Sequence, residues 1–194
     1  MITSAERVIE VNNASPQESA NRAYGLAEGA SNTKSTNGAG VPSTQSSVVL
    51  RVATLHDLAS LQHIEQTCFT TDRLSKSRFK FYIDAQHAEL IVAEREPSTS
   101  SSNLDKNKPS VNSIVGYGLL LLRRGTQLTR LYSIAVLPEA RGLGVAEKLI
   151  NSLGERALLR GKRFMRLEVA VGNAGAIALY KKLGFSQFGM YTDY

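Results

Sequence analysis

The sequence predicts an α/β (α+β) domain built on a mixed β-sheet covered by helices. Two observations carry that expectation. Short apolar runs rich in β-branched residues alternate with longer stretches whose apolar residues recur at helical spacing. Within Leu131–Ala146, a proline closes one such run and a glycine-rich loop then opens a long helical pattern. There are no internal repeats.

The elements follow in order. Residues 1–47 are rich in Ser, Asn, Ala, Gly and Thr. They are expected to form a disordered low-complexity tail, because so little apolar surface cannot offset the entropy of ordering. The domain is expected to occupy 48–194. Val48–Val52 reads as its first strand. Thr54 reads as the N-cap of a helix carrying Leu55, Leu58, Leu61, Ile64 and Glu65, with Asp57 three residues on in capping-box style. Leu74–Ala88 reads as a second helix, with Phe79, Tyr82 and Ile83 on one face. Leu90–Ala93 is a strand, 97–113 a long polar hairpin loop, and Ile114–Leu122 the returning strand. Gly116 and Gly118 there permit a bulge or a close approach. Gly125 turns the chain into a strand over Leu128–Leu137. A helix from Val145 ends at Gly161, in the position glycine favours after a helix. Phe164–Val171 is the next strand, Asn173 caps a short helix, Gly184 ends it, and a final strand starts at Phe185. The order is β-α-α-β-β-β-α-β-α-β.

Composition excludes several classes. The 194 residues carry a net charge of +6 and one cysteine. Cys68 rules out an intrachain disulfide and any zinc site of several cysteines. At the end of a helical pattern it reads as a half-buried structural thiol. His56, His63 and His87 show no ligand spacing, so no metal is expected. The basic residues are interspersed with acidic ones and match no nucleic-acid motif, so no nucleic acid is expected either. No apolar run approaches a membrane span and the N-terminus lacks a signal-peptide core, giving a cytoplasmic expectation without membrane contact.

Arg141-Gly142-Leu143-Gly144-Val145-Ala146 carries the chemistry. Small residues opening a helix leave backbone N–H groups pointing forward at the positive end of the helix dipole, where phosphate oxygens bind. Lys148 stands in the wrong relation to both glycines for GxxxxGK[ST]. Glu147 occupies the last glycine of GxGxxG. What remains is Arg-x-x-Gly-x-Ala after an apolar strand. A turn that binds no ligand is the plain alternative.

This loop resembles the acetyl-CoA pyrophosphate loop of the GNAT superfamily of N-acetyltransferases, whose pattern is Gln/Arg-x-x-Gly-x-Gly/Ala. The resemblance runs from about Val48 to the C-terminus. LYSIAVLPEARGLGVAEKLI and LEVAVGNAGAIALYKKLGF are similar to segments of the bacterial ribosomal-protein-alanine N-acetyltransferases. It implies a central, mostly antiparallel sheet with helices on both faces. It also implies acetyl-CoA as co-substrate, and acetyl transfer to a primary amine, a protein N-terminal α-amine (of a ribosomal protein, for example) before others.

Residue by residue, the resemblance implies that Arg141, Gly142, Leu143, Gly144, Val145 and Ala146 hold the pyrophosphate. Ile134, Ala135 and Val136 would offer backbone groups to the pantetheine arm and the acetyl carbonyl. Asn173 matches a coenzyme-contacting asparagine, although capping explains it equally well. Tyr180, of the Leu-Tyr pair, matches the acid that protonates the departing thiolate; a core tyrosine is the alternative. Glu168, in Leu-Glu-Val, matches the base; an ordinary ion pair is the alternative. Ala170 and Gly172 depart from the arginine and serine usual in close relatives. A small-molecule amine acetyltransferase and a non-catalytic acyl-CoA-binding module are the competing readings. The family's last strand, which inserts beside the strand carrying the base, finds no counterpart before Tyr194. The expectation is therefore that this C-terminal strand is missing and is supplied by further residues or by another chain, so that the protein is a monomer or a dimer.

Overall fold

A computed structural model describes residues 8–14, 48–96 and 114–191. The apolar runs form β2 (Val48–Val52), β3 (Ala88–Arg95), β4 (Ile114–Leu122), β5 (Leu128–Val136), β6 (Phe164–Ala170) and β7 (Ser186–Tyr191). The helically spaced segments form α1 (Leu58–Cys68), α2 (Lys76–Asp84), α3 (Val145–Leu159) and α4 (Ala174–Lys182). One more strand, β1 (Val8–Ala14), precedes them all. The seven strands make one sheet in the order β2-β3-β4-β5-β6-β1-β7. Every pair is antiparallel except β5–β6.

Helices cover both faces. On one, α3 buries Val145, Leu149, Ile150, Leu153 and Ala157, the i, i+4 stripe its sequence carries, against Leu120, Leu131, Leu167 and Tyr180. Gly118 is where it comes closest: a Cβ there would lie 2.8 Å from Leu153 Cδ1. On the other, α1 and α2 bury Leu61, Ile64, Phe79 and Tyr82 against Leu90, Val92, Tyr117 and Leu119. The Phe79 and Tyr117 rings meet edge to face at 5.3 Å.

Two helix starts differ from the sequence reading, each for a polar reason. After Thr54 the chain makes a 3-10 turn (Leu55–Asp57) before α1. Asp57 Oδ2 accepts from the Thr54 N–H (2.7 Å) and hydroxyl (3.1 Å), and Arg51 donates to both carboxylate oxygens at 2.8 and 2.9 Å. Burial works to raise the Asp57 pKa, but Arg51 and Thr54 outweigh it and hold the carboxyl below its usual range. The second helix begins at Lys76 rather than Leu74. Ser75 caps it by accepting the Arg78 N–H at 3.3 Å, while the Leu74 N–H donates to Glu65 Oε2 at 2.6 Å.

The bulge expected near the glycines of β4 is present at Val115, beside Gly116, and a second one lies on the neighbouring strand. Leu119 pairs with Ser133 and Leu120 with Leu131, so Tyr132 is the extra residue, on β5. Upstream, β5 pairs with β6 over three rows, ending at Arg130–Arg166. Beyond the bulge no such pairing follows, and the sheet opens between the two strands. On β4, Val115 is extra against β3.

The largest difference lies at the N-terminal end. Val8–Ala14 is a strand inside the sheet, paired with β6 from Val8–Ala170 to Ala14–Phe164 and with β7 from Val8–Tyr191 to Asn12–Ser186. It fills the slot that the sequence reading leaves for further residues or another chain. The expected tail thus contributes one strand to the domain. Backbone N–H and C=O groups need partners wherever water is excluded, and β1 supplies them to β6 and β7. The expected polar loop 97–113 and the rest of the tail, 1–7 and 15–47, lie outside the described residues.

Candidate active site

The opening between β5 and β6 leads into a cleft of about 690 Å³. One wall is the end of β5, Ile134, Ala135 and Val136; the opposite wall is α4 with Asn173, Ala176 and Tyr180; the floor is the loop from Arg141 to Glu147. Leu137 N–H donates to Val115 O at 2.8 Å, which fixes the alternation of the β4–β5 ladder. By that alternation Ala135 turns its backbone groups toward Tyr117 of β4. Ile134 and Val136 turn theirs toward the opening. Of the three residues singled out in the sequence, two therefore offer main-chain groups to the cleft, and Ala135 contributes its wall. The Val136 carbonyl already accepts from Arg141 Nε (3.1 Å) and the Cys68 thiol (3.5 Å).

The loop turns on Gly142 (φ 77°) and Gly144 (φ 72°), both in the left-handed region. Gly144 is the N-cap residue of α3 and carries no side-chain cap. Its carbonyl accepts the Lys148 N–H at 3.0 Å. The N–H groups of Val145, Ala146 and Glu147 precede that bond and point out of the helix end, the arrangement that binds phosphate oxygens. Built Cβ atoms at Gly142 and Gly144 meet nothing within 4 Å, so the space in front of the loop is open. Arg141, Gly142, Gly144, Val145 and Ala146 all border the cleft. Leu143 is 53% exposed and is not among the lining residues.

Tyr180 is 6% exposed, packs on Phe185 with ring centroids 5.8 Å apart, and borders the cleft. Burial pushes its phenol pKa up to about 12, so it holds its proton at neutral pH. Asn173 both caps α4, accepting the Ala176 N–H at 3.1 Å, and borders the cleft.

Glu168 sits on the other face of β6. Met165, Leu167 and Val169 point into the α3 side, and the alternation sends Arg166 and Glu168 the opposite way. There Glu168 forms an ion pair with Arg130, whose guanidinium lies 5.5 Å from the Tyr132 ring centroid. The Tyr132 hydroxyl accepts from Arg78 of α2 at 3.3 Å. The glutamate and the tyrosine are thus divided by the sheet: the tyrosine on the side of α3, the glutamate on the side of α1 and α2.

Sequence reasoning missed two neighbours. Cys68 reaches the cleft, with Arg141 beside it; burial nevertheless raises the thiol pKa, so it stays protonated. Phe69 borders the cleft as well. The close approach of α1 to Pro138–Ala140 signals neither residue in the sequence, because the two segments lie some seventy positions apart.

The sequence model of the Acetyltransferase (GNAT) family matches residues 58–185, which span the cleft, its loop and both helical layers. The chain belongs to the GNAT acetyltransferase family. Among curated relatives, the chain is 28% identical over 141 residues to a putative [ribosomal protein bS18]-alanine N-acetyltransferase of Bacillus subtilis, covering 72% of this chain and 82% of that protein. It is 40% identical over 100 residues to the thialysine N-epsilon-acetyltransferase of Sus scrofa, covering 50% of this chain and 52% of that enzyme. A shorter stretch, 61 residues at 43% identity, matches an uncharacterized N-acetyltransferase of Methanocaldococcus jannaschii and spans only 27% of it. The fold is similar to the crystal structure of the ribosomal-protein-S18-alanine N-acetyltransferase of Escherichia coli, with a TM-score of 0.58 at 22% identity over 74% of this chain and 80% of that one.

Family and fold make this GNAT protein an acetyl-CoA-dependent acyltransferase, and acetyl-CoA its co-substrate. Among the described residues no helix is long and apolar enough to cross a membrane.

Proposed function

We propose that this protein transfers the acetyl group of acetyl-CoA to the α-amine of a protein N-terminus. The observation that carries the acetyl-transfer part of the reading is that Tyr180 borders the cleft while Glu168 stands on the opposite face of the sheet, paired with Arg130. Acetyl transfer to an amine needs a proton removed where the amine arrives and a proton given where the thiolate leaves. Those two places lie on opposite sides of the carbonyl carbon, and the two residues lie on opposite faces of the sheet.

Acetyl-CoA supplies the acetyl group as a thioester. The N–H groups at the start of α3 bind its phosphates, and the main-chain groups of Ile134 and Val136 receive the arm. On the α1–α2 side, Glu168 takes the ammonium proton, directly or through water, and the amine nitrogen bonds to the carbonyl carbon. The C–S bond then breaks with its electron pair on sulfur, and the Tyr180 hydroxyl protonates that sulfur. The second proton that the nitrogen sheds as the amide forms restores the phenol through water, while Glu168 gives the first to solvent. A protein α-amine has a pKa of roughly 7.7–8.0, against about 10.4 for a lysine, so a carboxylate is a sufficient base for it.

The bS18-alanine relative supports a protein acceptor, since its match covers 82% of that protein. The thialysine relative supports a small amine as the second reading, with higher identity over a shorter span. The test is transfer from labelled acetyl-CoA into a cell lysate, with protein and small-molecule fractions counted separately, and into a synthetic peptide with a free N-terminal alanine. Label in protein and peptide is expected. Label confined to small molecules overturns the protein acceptor, and label in neither points to an acyl-CoA-binding module.

A further inference from the structure

Glu65 is a carboxyl on α1 that the chemistry above does not use, and it is only 2% exposed. Its amphipathic helix should carry an apolar residue there, as it does at Leu61 and Ile64. A buried carboxyl is costly unless each oxygen has a donor. Both have one. Oε2 accepts the Leu74 N–H at 2.6 Å, and Oε1 accepts the Tyr117 hydroxyl of β4 in a short contact. The Tyr117 hydroxyl in turn lies 2.6 Å from Ser133 Oγ. Since Tyr117 gives its proton to Glu65, Ser133 donates to Tyr117.

The chain of bonds lies behind the cleft and joins segments whose neighbouring residues, Cys68 and Phe69 on one side and Ile134 on the other, line it. Leu74 stands near the end of the α1–α2 loop, whose first residue, Phe69, lines the cleft with Cys68. Ser133 follows Tyr132, the bulged residue that ends the pairing of β5 with β6. Ile134, the next residue, turns its main chain toward the cleft. Tyr117 spans the distance between them beneath the core, fully buried against Phe79. The charged and titratable neighbours of Glu65 besides Tyr117 are Arg73 of the loop and Cys68.

We propose that Glu65, acting through Tyr117, is a positioning residue that fixes the α1–α2 loop against the β5 bulge and so sets the acceptor side of the cleft. The kinetic part of the argument rests on the acetyl-transfer reading above; the geometric part does not. Loss of the Tyr117 hydroxyl leaves Glu65 Oε1 without its donor and frees the carboxyl from the sheet, so the loop loses its tie to β5 while the Arg141–Ala146 loop keeps the Gly142 and Gly144 turns and the α3 start that shape it.

The first measurement is amide hydrogen exchange at Leu74 in Tyr117→Phe, an isosteric change in the core. Exchange there is expected to quicken about tenfold or more, the loss of a hydrogen bond to a charged group, with α3 amides unaffected. An unchanged Leu74 rate overturns the proposal. The second is steady-state transfer to the N-terminal-alanine peptide with acetyl-CoA saturating. Tyr117→Phe and Glu65→Gln are each expected to raise the peptide KM about tenfold while acetyl-CoA affinity stays within about twofold, and the double variant to add little to either single one. Equal losses in peptide KM and acetyl-CoA affinity, or full additivity, overturn it. A wild-type protein that leaves the peptide unlabelled counts against the acceptor reading, and the exchange rate alone then decides the brace.

Discussion

Arg130 of β5, in the last row paired with β6, and Glu168, two residues beyond that row on β6, form an ion pair at the head of the split between the two strands. Neither side chain is fully buried, with 31% and 20% of their surfaces exposed, so solvent screens the pair and its contribution to stability is modest. Its greater effect is positional. Arg130 lies 5.5 Å from the Tyr132 ring centroid and ties the Glu168 carboxylate to β5 across the split. Glu168→Gln is therefore expected to lower kcat/KM for an α-amine acceptor by about 10²-fold at pH 7. The defect should shrink as pH rises past the amine's pKa of roughly 7.7–8.0, where the nucleophile is already neutral. Pairwise pH–rate profiles of wild type and variant check this, and parallel profiles would remove Glu168 from base catalysis.

Tyr180→Phe keeps the ring contact with Phe185 and removes only the hydroxyl. The expected result is a fall in kcat of about 10²-fold with acetyl-CoA affinity unchanged, because the hydroxyl acts as the sulfur departs. The pH dependence has a definite sign. Burial raises the folded-state pKa from the ordinary 10 to about 12, so the folded protein keeps a proton that the unfolded chain sheds above pH 10. The contribution to stability is complete below pH 10 and is lost as pH rises from about 10 to about 12. Melting temperatures of wild type should fall more steeply across that window than those of Tyr180→Phe.

Gly144→Val addresses the loop. The built Cβ meets no protein atom, so crowding inside the fold is not the obstacle. The obstacles are a φ of 72°, strained for a β-branched residue, and a branched side chain in the open space before the α3 N–H groups. Titration calorimetry is expected to show acetyl-CoA binding weakened tenfold or more, about 1.4 kcal/mol.

How much of this was legible depends on how local the determinants are. The glycine turns before α3, the Asn173 cap and the alternation around Glu168 each follow from a few adjacent residues, and the structure forms each of them there. Glu65 was not legible as buried, because a helix face is read from apolar residues and a glutamate on it looks like the solvent side. The extra residue at Tyr132 left no mark either. Bulges depend on the register of two strands, and while the glycines of β4 mark the one at Val115, nothing comparable on β5 marks Tyr132. Gly116 also lets the strands close up: a Cβ there would sit 2.8 Å from the Ala135 carbonyl oxygen. β1 was the hardest. Its seven residues lie in a polar, low-complexity stretch, and its partners stand 150 or more positions away in sequence, as in Val8 with Ala170.

That strand leads to the last prediction. β1 is paired on both sides, so its removal leaves β6 and β7 with facing rows of unpaired main-chain groups in the middle of a sheet. β6 carries Glu168, and β7 follows the Phe185 that packs on Tyr180. The loss should therefore reach the cleft as well as the edge. A protein beginning at residue 15 is expected to melt at a lower temperature, to associate in light scattering as the exposed rows find partners in other copies, and to lose acetyl transfer. A synthetic peptide spanning residues 1–14, added in excess, is expected to restore the melting temperature by binding the open slot, since a ligand of the folded state stabilises it by mass action. The same peptide with Val11→Pro lacks one N–H in a doubly paired strand and should restore much less. A truncated protein that stays monomeric, melts as the full chain does and ignores the peptide would show that β6 and β7 hold their places without β1.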